Sequence, residues 1–197
     1  MLYCLLICSA VVVLDQISKL IVVNTIAEGT VIEVIKGVFN LTYVENKGAA
    51  FGMLSGHRWV FMIISAVAIV LIFLYLWKEA PESFVVKTCL AFVLGGGVGN
   101  MIDRTVRGSV VDFIDAAFVR YPQISTEGGF NISLEPFPIF NVADCFITVG
   151  CVSLVVYLLF VELPKEARAE RERKAKAGAE NNLTNAENVA ESEADEQ

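Results

Sequence analysis

Histidine is almost missing from this chain: among 197 residues there is only His57. A Ser-His-Asp or Cys-His arrangement therefore has one available member, and a metal centre would have to rely on carboxylates. His57 precedes an apolar run and is expected at a helix start in the membrane interface. Disulfide chemistry is excluded on similar grounds. The five cysteines, Cys4, Cys8, Cys89, Cys145 and Cys151, are odd in number and lack CxxC spacing, and all lie in or beside apolar runs as packing residues. Charge is scarce too, at 19% of residues against 55% hydrophobic, with a mean hydropathy of +0.61. An ordinary soluble domain is thereby excluded, and a small polytopic membrane protein is indicated. Neither a cofactor nor a nucleic-acid partner is called for. The net charge of -7 is mostly a terminal effect, because six acids from Glu180 to Glu196 sit in a tail without Lys or Arg. That tail has little to bury against the entropy of ordering it and reads as disordered.

What is present are apolar runs long enough for a bilayer. Four spans are expected, at about 2–23, 58–77, 88–106 and 140–162, giving an all-α transmembrane bundle over 1–163 with a polar tail over 164–197. A secretory signal peptide is the competing reading of the first run, but it has no positive leading segment and no small-residue cleavage site. The run Trp59–Trp77 is 19 uncharged residues with tryptophans at both ends, as suits the two interfaces. Between the first two spans, Val31–Val44 is β-prone and Glu28-Gly29 and Lys36-Gly37 offer turns, so a small sheet resting on the membrane surface is expected. The insert Ala116–Ile139, with three prolines and two glycines, should lie outside the bilayer.

Orientation follows from basic residues. Lys165, Arg168, Arg171, Arg173, Lys174 and Lys176 follow the last span and place the C-terminus in the cytoplasm, and four spans then place the N-terminus there too. The ends carrying Lys19, Asn46, Arg104, Asp112 and Asp144 all fall on the outer, extracytoplasmic side.

Those polar residues need a reason to be there. Asp15 and Lys19, four apart, share a helix face and can pair. Asn46-Lys47-Gly48-Ala49-Ala50 is a loop whose small residues let backbone approach a partner closely. The glycines of Leu94–Gly99 do not make a nucleotide-binding GxGxxG, since Asn100 stands where glycine is required; Gly95 and Gly99 instead have GxxxG packing spacing. Asn100 and Arg104 follow on one face, with Asp103 placed to hold the guanidinium. Asp112 and Asp115 sit among large apolar residues in Ser109–Asp115, and Asn141 and Asp144 open the last span.

Two carboxylates in a partly dry site share a proton, and such a pair can hydrolyse an amide without metal or covalent intermediate. Asp112 and Asp144, 32 positions apart, are the working pair, with Asn46, Asn100, Asn141 and Arg104 placed to hold an extended peptide. From spacing alone, a small proton-coupled transporter or channel with an intramembrane acid relay fits nearly as well.

Five blocks in order carry a resemblance: Asp15-Gln16-Ile17-Ser18-Lys19, Asn46 to Gly52, Gly99 to Arg104, Val110 to Asp115, and Phe140 to Asp144. From about Leu14 to Val161 the chain resembles bacterial lipoprotein signal peptidase, or signal peptidase II. The resemblance implies a four-span aspartic endopeptidase of the bacterial inner membrane whose dyad corresponds to Asp112 and Asp144. It implies removal of signal peptides from prolipoproteins on the N-terminal side of the diacylglyceryl-modified lipobox cysteine. Asp15, Lys19, Asn46, Gly48, Asn100, Asp103, Arg104 and Asn141 fall in its blocks as substrate-binding or supporting residues. The cyclic peptide globomycin is the inhibitor implied, and membrane lipid the surroundings. The chain departs from compact members in its longer 116–139 insert and in Ala116-Ala117, where a bulky aromatic is common.

Overall fold

The computed structural model describes residues 1–47, 58–79, 81–117, 123–125, 131–133 and 137–165, with isolated positions to 174. The expectations for Gly48, His57, most of the 116–139 insert and the acidic tail lie outside these residues. In chain order come α1 (Leu2–Thr25), β1 (Val31–Ile35), β2 (Phe39–Asn46), α2 (Arg58–Lys78), α3 (Phe84–Val106), β3 (Val110–Asp115), β4 (Gln123–Ser125), β5 (Asn131–Ser133) and α4 (Val142–Tyr157). The chain divides into two compact units, Met1–Leu154 and Val155–Gln197. In the second, Leu158–Glu162 is π-helical.

Among the described residues, three helices are long and apolar enough to cross a membrane: Leu2–Thr25, Phe84–Val106 and Val142–Lys165. At 1.5 Å per residue, the 24 residues of α1 reach about 36 Å, enough for a hydrocarbon core of about 30 Å. The helix α2 runs for 21 residues and is apolar over Met62–Lys78. Side chains such as Ile17 and Ile21 on α1, Ile63 and Leu71 on α2 and Val152 on α4 stand exposed, as a lipid solvent allows. The third span was expected from 88; α3 starts earlier, at Phe84, because Ser83 caps it by accepting a bond from Val86 N at 3.4 Å.

Glycine sets the helix spacing around α3. A Cβ on Gly95 would lie 2.8 Å from Val11 Cβ, and one on Gly99 would lie 2.5 Å from Asp15 Oδ2, so both GxxxG positions close on α1. Gly96 faces the other neighbour: its Cβ would sit 2.5 Å from the Ala143 carbonyl at the start of α4. Further along α4, Gly150 faces the Cys89 carbonyl of α3. A core of Cys4, Leu76, Ala91 and Leu94 fills the other end of the bundle.

The sheet expected between the first two helices is there, and it has a strand the sequence reading did not assign to it. Strands β1, β2 and β3 pair antiparallel in that order. The turns expected at Gly29 and Gly37 have φ of +79° and +68°, which glycine adopts without a Cβ clash. The added strand is β3, the Ser109–Asp115 stretch itself, set against β2 with Val44 opposite Asp112 and Asn46 opposite Val110. Its apolar residues were legible as burial but not as a strand, because Val111 and Phe113 pack with Val22, Ile26 and Tyr43 on one side of a sheet whose partner is about seventy residues away. Phe140 then bridges to Ile114, accepting from its N–H at 2.8 Å and donating back at 3.1 Å. That backbone bridge brings the start of α4 beside β3. Within the insert, β4 and β5 pair antiparallel with Ile124 opposite Ile132.

Candidate active site

Helix α4 begins with a reciprocal cap. Asn141 is the residue before the first helical position, and its Oδ1 accepts from Asp144 N at 3.1 Å while Asp144 Oδ2 accepts from Asn141 N at 3.2 Å. This is the capping-box pattern, with Asp in place of the usual Glu or Gln, and it satisfies two otherwise orphaned donors. The next free N–H, that of Ala143, donates to Asp15 Oδ1 of α1 at 2.9 Å. Asp144 thus sits at the positive end of a helix, held by its own backbone.

Asp112, on β3, is almost completely buried. Its Oδ2 accepts from Asn46 Nδ2 at 2.9 Å, across the β2–β3 pairing, and its Oδ1 accepts from Asn141 Nδ2 at 2.7 Å. Two amides connect it to Asp144. Asn141 Nδ2 also donates to Asn100 Oδ1 at 3.2 Å, and Asn100 Nδ2 donates to Asp144 Oδ1 at 2.8 Å. Burial pushes the Asp112 carboxyl up to about 6, the Asn46 bond works against that rise, and the Asp144 charge adds to it. Both carboxylates line a cavity of about 510 Å³ with Asn46, Asn100 and Arg104 on its polar side and Val110, Phe137, Pro138, Ile139, Phe140 and Val149 on its apolar side.

Beneath this lies a buried ion cluster. Lys19 Nζ is 2.9 Å from Asp15 Oδ2, 2.8 Å from Asp103 Oδ2 and 2.9 Å from Asn100 Oδ1, at 1% exposure. A buried cation of this kind is tolerable only when its donors are all used, and here all three are. Asp103 was expected to hold the Arg104 guanidinium, and it does not. Adjacent helix positions point about 100° apart, so Asp103 turns toward α1 and takes Lys19, Gln16 and the Val111 N–H, while Arg104 turns to the cavity and donates to the Asn100 carbonyl at 3.2 Å. Asp115 is on the same strand as Asp112 but bonds to Asn40 Nδ2 at 3.1 Å, away from the amide bridge.

Of the residues singled out from sequence, Asp15, Lys19, Asn46, Asn100, Asp103, Arg104, Asp112, Asn141 and Asp144 are brought to this one region; Gly48 lies outside the described residues. Two participants were missed. Gln16 Nε2 reaches Asp103 Oδ1 at 3.1 Å and the Gly99 carbonyl at 3.2 Å. An amide inside a span must find partners, which was the available signal. Glu45 ties Tyr43 and Ser109 together at 3.0 and 3.1 Å beside the β2–β3 register, and nothing local in the sequence marks it. Among the described residues no three His, Cys, Asp or Glu side chains converge as a metal site requires.

A carboxylate pair bridged by amides, opening on a mostly apolar cavity, can activate water against an amide in a lipid-facing substrate. Comparison with known proteins identifies the family. The chain is 38% identical over 164 residues to a lipoprotein signal peptidase of Halalkalibacterium halodurans, covering 83% of this chain and 93% of that one. It is 41% identical over 151 residues to the protein of the same name from Symbiobacterium thermophilum, covering 77% and 90%. Two solved structures, each described as a bacterial membrane enzyme determined by the in meso method, superpose with TM-scores of 0.67 and 0.66 at 33% identity. They cover 81% and 82% of this chain, and 88% and 95% of their own. None of these matches supports the transporter alternative. With the signal peptidase II family profile matched over residues 7–160, which takes in every side chain of the cluster just described, this chain belongs to the signal peptidase II family.

Proposed function

We propose that the chain is an intramembrane aspartic endopeptidase that removes signal peptides from diacylglyceryl-modified prolipoproteins, cleaving on the N-terminal side of the lipidated cysteine. The observation that carries this reading is the Asp112–Asn141–Asn100–Asp144 bridge at the wall of one cavity. In the reaction, the ionised member of the pair takes a proton from water as it attacks the scissile carbonyl, and the protonated member donates to the carbonyl oxygen. As the C–N bond breaks, the proton taken from water passes to the leaving amine and a hydroxyl of the gem-diol returns its proton to the other carboxylate, so the pair is again singly protonated. Asn46 and Arg104 hold the peptide backbone, while the Phe137–Phe140 side takes apolar substrate surface.

The same reading has four spans in the bacterial inner membrane, with α2 crossing as the second, both termini cytoplasmic and the cavity toward the extracytoplasmic face. Globomycin-type cyclic peptides would occupy the cavity in competition with substrate. The test is cleavage of a diacylglyceryl prolipoprotein by the purified protein. Asp112→Asn and Asp144→Asn are each expected to lose at least about a thousandfold in rate, on the scale of removing a group that acts in the transition state. Asp115→Asn, whose carboxylate faces Asn40, is expected to stay within about tenfold of wild type. Near wild-type cleavage by either dyad variant would refute the assignment.

A further inference from the structure

An amide facing a carboxylate can point either way, and a half-turn replaces a donor with an acceptor. In the bridge between Asp112 and Asp144 the direction is imposed from outside. Lys19 Nζ has only protons to offer and lies 2.9 Å from Asn100 Oδ1, so the Asn100 oxygen must face α1 and its Nδ2 must face Asp144. Asn141 is locked in the same manner by the Asp144 backbone N–H, which can only donate to Oδ1 and thereby turns Nδ2 toward Asp112. A purely structural lysine would need no more than Asp15 and Asp103. The third proton of Lys19 is spent on the bridge.

Resting on the reading of Asp112 and Asp144 as the reacting pair, we propose that Lys19 is a positioning residue: by holding the Asn100 oxygen it keeps the Asn100 N–H on Asp144 and so fixes the donor direction of the amide bridge that supports the singly ionised pair. Each carboxylate then accepts two N–H groups: Asp112 from the Asn46 and Asn141 side chains, and Asp144, in the first turn of α4, from the Asn100 side chain and the Asn141 backbone. The charged and titratable groups around Asp144 are Asp112 from β3, Arg104 from α3, Asp15 and Lys19 from α1 and Cys145 on its own helix.

Lys19→Met alone would leave Asp15 and Asp103 buried beside no cation, a change that can unfold the protein. The Lys19→Met/Asp103→Asn double variant removes one charge of each sign, and Asp15 keeps its bonds from Gln16 and the Ala143 N–H. In full-length protein with wild-type thermal stability, kcat on a diacylglyceryl prolipoprotein is expected to fall by about tenfold to a hundredfold, the scale of one hydrogen bond to a charged group, with KM within about twofold. The acid limb of the kcat–pH profile is expected to move upward, because the pair loses a donor to its singly ionised state. A folded double variant with wild-type kcat and pH profile, or with only KM raised, would overturn the role. If the double variant does not fold, Asn100→Ala, which leaves the Lys19 pairs with Asp15 and Asp103 in place, must reproduce the kcat loss, and a wild-type kcat there would overturn the role equally. Active Asp112→Asn or Asp144→Asn protein would instead remove the dyad reading itself, whereas inactive dyad variants beside an unaltered Lys19 variant would remove only this proposal.

Discussion

Asp112 and Asp144 are the same residue type in opposite local settings, and the difference comes from their immediate neighbours. Asp112 is on a buried strand between two side-chain amides, whereas Asp144 is bound partly by its own helix terminus. A carboxyl held up to about 6 keeps its proton below that pH and loses it above. If Asp112 supplies the proton, kcat/KM of the free enzyme should decline as pH rises through about 6, and the measurement is initial rates at low substrate across pH 4.5–8. A profile flat through that range would detach Asp112 from the acid role. At this scale the sequence marks residue types far better than partners. Acids and amides in an apolar run are conspicuous, but Arg104 is only the neighbour of Asp103 in sequence, and the partner of Asp103 in space is Lys19 on another helix.

At the scale of elements, the site depends on how closely α3 and α4 approach. Gly96 is the contact point, and a methyl group there would meet the Ala143 carbonyl, a backbone atom inside the α4 cap. Gly96→Ala is therefore expected to destabilise the protein by about 1–3 kcal/mol through overpacking, read as a lower midpoint in thermal or chemical unfolding. Because the cap also orients Asp144, cleavage should fall even at temperatures where the variant stays folded. Gly29 offers a contrast. Its φ of +79° is strained for any L side chain although space around it is open, so Gly29→Ala is expected to cost about 1 kcal/mol with kcat unaltered. GxxxG spacing announced close packing by Gly95 and Gly99, since small residues at that interval share a helix face. It said nothing of Gly96, whose importance comes from the neighbour on its other side.

For the whole molecule, the sheet formed by β1, β2 and β3 is continuous with the start of α4 through the Phe140–Ile114 bridge, so the proposed reacting groups are borne by a sheet and by helix ends together. Opposite membrane faces are proposed for Lys36 and Glu79, which lie beyond opposite ends of the apolar stretch formed by the second span. In intact inner-membrane vesicles of known orientation, a membrane-impermeant thiol reagent should label Lys36→Cys only from the extracytoplasmic side and Glu79→Cys only from the cytoplasmic side. Labelling of both from one side would remove α2 as a span and with it the four-span arrangement.

What the sequence determined by itself were properties set within a few residues: the apolar runs of helix length, the turns at Gly29 and Gly37, and the presence of acids and amides where lipid or a dry core would penalise them. Each follows from local conformational preference and from transfer free energy, which depend on composition over a short window. Only the tertiary structure decided that Ser109–Asp115 is the third strand of a sheet, that Asn141 and Asp144 cap one another, and that Lys19 takes Asp15, Asp103 and Asn100 together. Those bonds join segments tens of residues apart, and their partners are selected by how near glycine lets α1, α3 and α4 come to one another, a distance that no local pattern encodes.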